Sequence, residues 1–280
     1  MPSHRALQNA LADTIEAHYV FPEVAAAVAA EVRSWDAAGD EPPFEEWTRR
    51  LRLFDRHFRV VREAPTPVAR EVQAGDTGAF LRTHPRGQIG VLVISEFVDP
   101  DERGRAEELA EALRWLADFD AAIVDVRGNH GGWPTMVAAV AGPLLGQPPV
   151  HVVDFTTRTG VETSYTTPAD DDSALTWMPL AVLIDGGTAS AAESFAYLLS
   201  TTRRAVIVGE RSAGAANPGT FFDTGAGFAV FVSTGAPLDP RTSTNWEAVG
   251  VAPDHDVPSS DAEDAAVEVL TEQLTHRPAP

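Results

Sequence analysis

The chain has 280 residues, with 41 acidic side chains against 21 basic ones, eight histidines, no cysteine and a formal charge of -20. That length can bury a full core in one large domain, or in one domain with a small companion, while the charge repels phosphate backbones and anionic headgroups, so neither nucleic acid nor a membrane is expected as a partner. Lacking cysteine, the chain can form no disulfide, thiolate metal site or cysteine nucleophile, and because every basic residue is arginine a Ser-Lys dyad, a lysine Schiff base and a phosphate-loop lysine are excluded as well.

Leu7, Leu11, Ile15 and Tyr19 recur at helical spacing, and Pro22 opens a second helix over Glu23 to Trp35. After a break from Gly39 to Pro43 a third helix is expected from about Phe44 to Phe54, so residues 1–62 read as a small N-terminal helical domain. Extended runs divided by Pro65, Pro67, Gly75 and Gly78 predict connecting strands or a hairpin over 63–88, too short for an inserted peptide-binding domain. From 89 to 280 strand and helix alternate. Strands are expected over Ile89–Val98, Ala121–Val126, Leu180–Ile184 and Ala205–Val208, with helices over Glu102–Phe119, Pro134–Leu145 and Ala189–Leu199. A hairpin is expected over Val150–Thr157 and Val161–Thr166, extended segments near Phe221 and over Phe228–Ser233, and a last helix capped by Ser259 or Ser260. The pattern predicts an α/β fold with a mostly parallel sheet. His4, Arg5, Asp13 and Glu16 interrupt the apolar positions of the first 17 residues and no apolar run approaches the ~20 residues of a membrane span, so a cytoplasmic address is expected.

Two strand-to-helix turns carry the candidate chemistry. In the first, Thr188-Ala189-Ser190-Ala191-Ala192-Glu193 follows Leu180–Ile184 through Gly186 and Gly187, which places Ser190 where the unpaired amides of a helix N-terminus could receive an oxyanion. Ser-Ala-Ala-Glu is equally a capping box, so the turn alone leaves both readings open. The second, Asp125-Val126-Arg127-Gly128-Asn129-His130-Gly131-Gly132-Trp133-Pro134, again sets glycines ahead of a helix, where they serve either turn geometry or the other half of an oxyanion hole. Without lysine, a base for Ser190 has to be a histidine or a carboxylate. No His-x-x-x-His pair, calcium loop or thiolate set occurs, and Gly225 and Gly227 fall in a predicted hairpin rather than between strand and helix, so neither a metal nor a cofactor is expected.

Taken with Val208-Gly209-Glu210, Asn245-Trp246-Glu247-Ala248-Val249-Gly250-Val251-Ala252-Pro253-Asp254 and the junction Ala17-His18-Tyr19-Val20-Phe21-Pro22, these turns resemble the S41 serine peptidases. That family includes the tail-specific proteases, the tricorn core protease and the repeats of interphotoreceptor retinoid-binding protein. The resemblance implies a ClpP/crotonase-like spiral of ββα units behind a helical N-terminal domain. It further implies Ser190 as nucleophile, with the backbone amides of Ala191 and of Gly131 or Gly132 as oxyanion hole. The tail-specific branch carries its lysine 25 positions after the nucleophile, which here is Ala215. In the tricorn-like branch the base is a histidine supplied ahead of the sheet, and Asp55-Arg56-His57-Phe58 resembles that element, with Glu247 where an orienting glutamate would stand. Ser190, His57 and Glu247 are thus the implied catalytic set, and His130 in the glycine loop is the rival base. Arg56 occupies the place of a serine in the tricorn-like pattern, which leaves the fourth member of the network unassigned. Arg127 and Asn129 are read as holding the glycine loop, and Asp185, Glu210 and Asp254 as fixing turns.

Three functions follow: a serine hydrolase cleaving a peptide amide, an esterase, lactonase or cyclising acyltransferase acting on a small acyl substrate, and a non-catalytic carrier of an apolar ligand, as in the retinoid-binding branch.

Overall fold

Leu7, Leu11 and Ile15 line one buried stripe of the first helix, α1 (His4–His18), whose N-terminus is capped by the Ser3 hydroxyl accepting from the Ala6 N–H at 3.3 Å. The structure is a computed structural model and describes residues 3–36, 43–64, 80–168 and 173–276. Along the described chain there follow α2 (Pro22–Ser34), α3 (Phe44–Leu51), β1 (Arg59–Val61), β2 (Leu81–Arg86), β3 (Ile89–Ile94), α4 (Arg105–Leu116), β4 (Ala121–Asp125) and α5 (Pro134–Leu145). Next come β5 (His151–Thr157), β6 (Gly160–Tyr165), α6 (Ala174–Trp177), β7 (Leu180–Ile184), α7 (Ala191–Thr201), β8 (Val206–Gly209), β9 (Gly219–Asp223), β10 (Ala229–Ser233), β11 (Gly235–Leu238), β12 (His255–Asp256) and α8 (Ala262–Thr275). Of the connection predicted over 63–88, residues 65–79 lie outside the described residues, and its end is the strand β2. Among the described residues no helix is long and apolar enough to cross a membrane.

Two compact units divide the chain: Met1–Thr77, Phe155–Glu162 and Asn217–Pro237 make the first, and Gly78–Asp154, Thr163–Ala216 and Leu238–Pro280 the second. In the first unit an antiparallel sheet of order β1-β10-β9 pairs Val60 with Val230 and Phe231 with Phe221. Val230 and Val232 share a core with Leu11 and Ile15 of α1, Val28 and Val32 of α2, and Trp47 and Leu51 of α3. Each such apolar side chain contributes about 1.5–3 kcal/mol on burial, which is what ties the returning segment 217–237 to the N-terminal helices.

The second unit is built on a sheet of order β12-β8-β7-β4-β3-β2, parallel except where β2 runs antiparallel to β3. Strands β4 and β7 are buried along their whole length, as parallel strands covered on both faces must be. Alternation sorts their side chains. Ala122, Val124, Val182 and Ile184 face Met136 and Val140 of α5 and Phe195 and Leu199 of α7. Ile123, Ala181 and Leu183 face the stripe Ala262, Ala266 and Leu270 of α8. The predicted α/β class is the one observed. Neighbouring strands β4 and β7 therefore deliver their C-terminal ends, and the loops leading to α5 and α7, side by side.

Candidate active site

Those two loops form one hydrogen-bonded assembly inside the second unit. Asp185, just past β7, accepts through Oδ1 from the N–H groups of Gly187 at 2.9 Å, Gly128 at 2.9 Å and Thr188 at 3.2 Å, and through Oδ2 from the Ser259 hydroxyl at 3.1 Å. Partial burial works to raise its carboxyl, but the donors from Gly128, Gly187, Ser259 and Thr188 outweigh it and hold the group below the usual aspartate range. The Thr188 hydroxyl donates to Val126 O at 2.9 Å and the Ala189 N–H to Asn129 O at 2.9 Å. Fully buried Asn129 braces the glycine loop, its Nδ2 donating to Ile94 O and its Oδ1 accepting from the Gly131 N–H, each at 2.8 Å.

Ser190 precedes α7 with φ 55 and ψ -119, outside the extended region a helix N-cap normally takes. A non-glycine residue held there stores about 1–3 kcal/mol of strain, and a sharp strained turn between strand and helix presents a serine side chain at the surface. Ser190 is exposed. Its own N–H donates to Glu193 Oε2 at 2.9 Å. Glu193 is fully buried and accepts three further bonds, from Ala215 N–H at 2.8 Å, Gly214 N–H at 2.5 Å and the Ser212 hydroxyl at 2.6 Å. Ala191 is the first residue of α7, where a backbone N–H has no acceptor within its own helix.

Gly131 lies directly against this turn. A Cβ on it would meet Ser190 Cβ at 2.7 Å and Ala191 N at 2.9 Å, and its φ of +102 is itself a glycine conformation. Its N–H is taken by Asn129 and its carbonyl accepts from the Phe97 N–H at 2.9 Å. Of the two glycines named for an oxyanion hole, Gly132 is therefore the one whose N–H is not engaged by the loop. His130 is exposed on the same loop.

The histidine of the predicted set lies in the first unit. His57 follows α3 in a tight turn made by Asp55, whose Oδ1 accepts from the His57 N–H at 2.8 Å and faces the ring Nδ1 at 3.2 Å. Asp55 Oδ2 accepts from the Ser233 hydroxyl at 2.7 Å. Burial would raise the Asp55 carboxyl, but the bonds from the His57 ring, the His57 amide and Ser233 overcome it and keep the group below its ordinary value. Glu247, half-buried in the second unit, accepts from the Ala216 N–H through Oε2 at 2.9 Å, and its own N–H donates to Asn245 Oδ1 at 3.0 Å. Arg127 donates to Asp125 Oδ2 at 2.6 Å within the glycine loop, whereas Asp254 Oδ2 accepts from the Ile207 N–H at 2.8 Å and Glu210 Oε1 from the Ser259 N–H at 3.1 Å, joining segments distant in the chain rather than fixing a local turn. Asp55, Glu193 and Ser233 carry no catalytic part on sequence alone. An Asp-x-His spacing and the glutamate three residues after the serine were the signals present.

Residues 88–257 match the model of peptidase family S41. The chain belongs to this family. Two relatives show how far the likeness extends. A carboxyl-terminal-processing protease of Synechocystis sp. is 31% identical over 176 residues, covering 61% of this chain and 38% of the relative. Carboxyl-terminal-processing peptidase 2 of the Arabidopsis thaliana chloroplast is 32% identical over 176 residues, covering 62% of this chain and 32% of the relative. This chain thus spans about a third of the length of those curated relatives. Among solved structures, the photosystem II D1 C-terminal processing protease superposes with a TM-score of 0.60 over 96% of this chain and 98% of that one at 16% identity, a likeness of fold.

Proposed function

We propose that this S41 chain is a serine hydrolase that cleaves peptide amides through an acyl-enzyme, with Ser190 as nucleophile, His57 as its base and Glu247 as an acidic partner of the set. The observation that carries the reading is the backbone of Ser190, strained at φ 55, tied by its own N–H to buried Glu193 and set beside the first amide of α7. In the proposed reaction the neutral His57 ring takes the Ser190 Oγ proton as Oγ bonds to the carbonyl carbon, and the N–H groups of Ala191 and Gly132 receive the oxyanion. The protonated ring then gives its proton to the leaving amine as the C–N bond breaks, and water, activated by the same ring, hydrolyses the ester. Membership of the S41 family and relatives named as carboxyl-terminal-processing peptidases support a peptide as the acyl donor.

The test is fluorophosphonate labelling of the purified protein beside Ser190→Ala, followed by turnover of a peptide library and of small acyl esters. Labelling that depends on Ser190, with peptide cleavage, is expected. Labelling with ester but no peptide turnover would move the acyl group to a small molecule. No labelling, with tight uptake of an apolar fluorescent ligand, would replace hydrolysis by carriage.

A further inference from the structure

The first unit holds a buried relay that nothing in the catalytic set requires as turn geometry alone. Asp55 forms a local turn by accepting from the amide two residues on, a task an asparagine performs as well and at the surface. Here the side chain is 3% exposed, and an ionised group so placed is costly unless its oxygens are satisfied. Both are. One oxygen faces His57 Nδ1 and the amide, while the other accepts at 2.7 Å from the hydroxyl of Ser233, which lies 178 positions along the chain and is 1% exposed.

The strand that brings Ser233 is itself pinned. The Ser233 carbonyl accepts from the Val20 N–H at 2.9 Å, and Val230 and Val232 point into the core of the helical unit. Alternation then turns Phe231 and Ser233 to the other face, where the Phe231 ring lies 6.3 Å from the His57 ring, centroid to centroid. One strand face thus supports the imidazole with an aromatic ring and anchors the carboxylate that contacts it. Resting on the serine-hydrolase reading above, we infer that Asp55 and Ser233 are the positioning residues of His57: Ser233 fixes the carboxylate, the carboxylate holds the proton on Nδ1, and Nε2 is left as the basic nitrogen. This relay fills the place in the network that Arg56 leaves unassigned. A neutral imidazole with its proton on the wrong nitrogen cannot act as a base toward a hydroxyl at the other, which is why an aspartate-to-asparagine change beside a catalytic histidine can cost about 10,000-fold in rate.

The test reads the ring directly. The full chain, labelled with nitrogen-15 at histidine, is followed by ring-nitrogen NMR at a pH where His57 is neutral, its signals assigned by their loss in His57→Gln. Fluorophosphonate labelling rates are measured on the same samples, and circular dichroism reports folding. The wild type should show the Nδ1–H form. Asp55→Asn should shift the ring toward Nε2–H and slow labelling at least about 100-fold, Ser233→Ala should give an intermediate shift with about 10-fold slowing, and Ser233→Thr should restore both. An Nε2–H ring in the wild type, or an Nδ1–H ring indifferent to both Asp55→Asn and Ser233→Ala, would overturn the relay. Tautomer shifts as expected in a wild type that never reacts with the fluorophosphonate would uphold the relay and overturn the hydrolase reading instead.

Discussion

Glu193 receives the backbone N–H of Ser190 at 2.9 Å, so the residue three places into α7 holds the main chain of the residue in front of it. Each carboxylate oxygen accepts two bonds, Oε2 from Ser190 and Ala215 and Oε1 from Ser212 and Gly214. Glu193→Gln would set an NH2 group against two of those donors inside the core. An unsatisfied buried polar group costs about 1–3 kcal/mol, so a loss on the order of 3 kcal/mol is expected in urea unfolding. Labelling of Ser190 should fall as well, because its turn loses its anchor. An unchanged unfolding midpoint together with full labelling would mean that the serine turn does not depend on this carboxylate.

Gly131 and Gly128 sit in the same loop, both at positive φ, yet only one has neighbours. A methyl group at 131 would press on Ser190 Cβ and on the Ala191 amide, whereas at 128 it would meet nothing within 4 Å. Gly128→Ala should cost only the left-handed backbone penalty, about 1–2 kcal/mol, and keep its labelling rate. In Gly131→Ala the proposed oxyanion amide at 191 and the serine are displaced together, and labelling should drop at least about 100-fold, the scale on which removing one oxyanion donor acts. Equal labelling rates in the two variants would detach the glycine loop from the chemistry.

Asp185 supplies a pH signature. Its carboxyl is held below the ordinary value by N–H donors from both turns, so the native state favours the ionised form. The stabilisation is fully present above the unfolded value near pH 4 and is lost as pH falls through the depressed folded value. Asp185→Asn lacks that titration. The difference in unfolding free energy between wild type and variant should therefore be largest near neutral pH and shrink as pH falls below about 4. A gap that stays constant across that range would show that the carboxylate is not held in its charged form.

What could be read from the chain follows the range over which each interaction acts. The stripe Leu7, Leu11, Ile15 and the apolar runs of β4 and β7 declare a helix and two covered strands because the pattern and its cause lie in the same few residues. Strand β2 lies within the connecting strands or hairpin expected over 63–88 but shows no clear period of its own: it carries Pro85 and is largely exposed after Leu81, as its place at the edge of the sheet allows. Strands β11 and β12, of 4 and 2 residues, are too short to show a period. The serine turn is legible as a choice between nucleophile and helix cap, and Glu193 is the second half of that cap in the structure, while its other donors, 19 to 22 residues on, are out of reach of a local pattern. Asp55 was harder still. The Asp-x-His spacing is local, but the hydroxyl that anchors Asp55 lies 178 positions away, a separation at which no local pattern carries a signal.

Ser190 also poses a stability question that separates strain from function. At φ 55 and ψ -119 a side chain crowds the backbone, and alanine in its place keeps the Cβ and hence the strain. Glycine removes it. Against that relief stands the greater freedom of glycine in the unfolded chain, worth about 0.5–1 kcal/mol, while the relief itself is about 1–3 kcal/mol. Ser190→Gly should therefore unfold at a higher urea concentration than Ser190→Ala, by the equivalent of about 1 kcal/mol, and neither variant should take the label. An ordinary capping serine would give the same order, since glycine is tolerated better than alanine at an N-cap, so the size of the gap at a φ of 55 reports the strain. Measuring the two midpoints therefore tests whether the backbone of residue 190 is strained, and an alanine variant more stable than the glycine one would show that it is not.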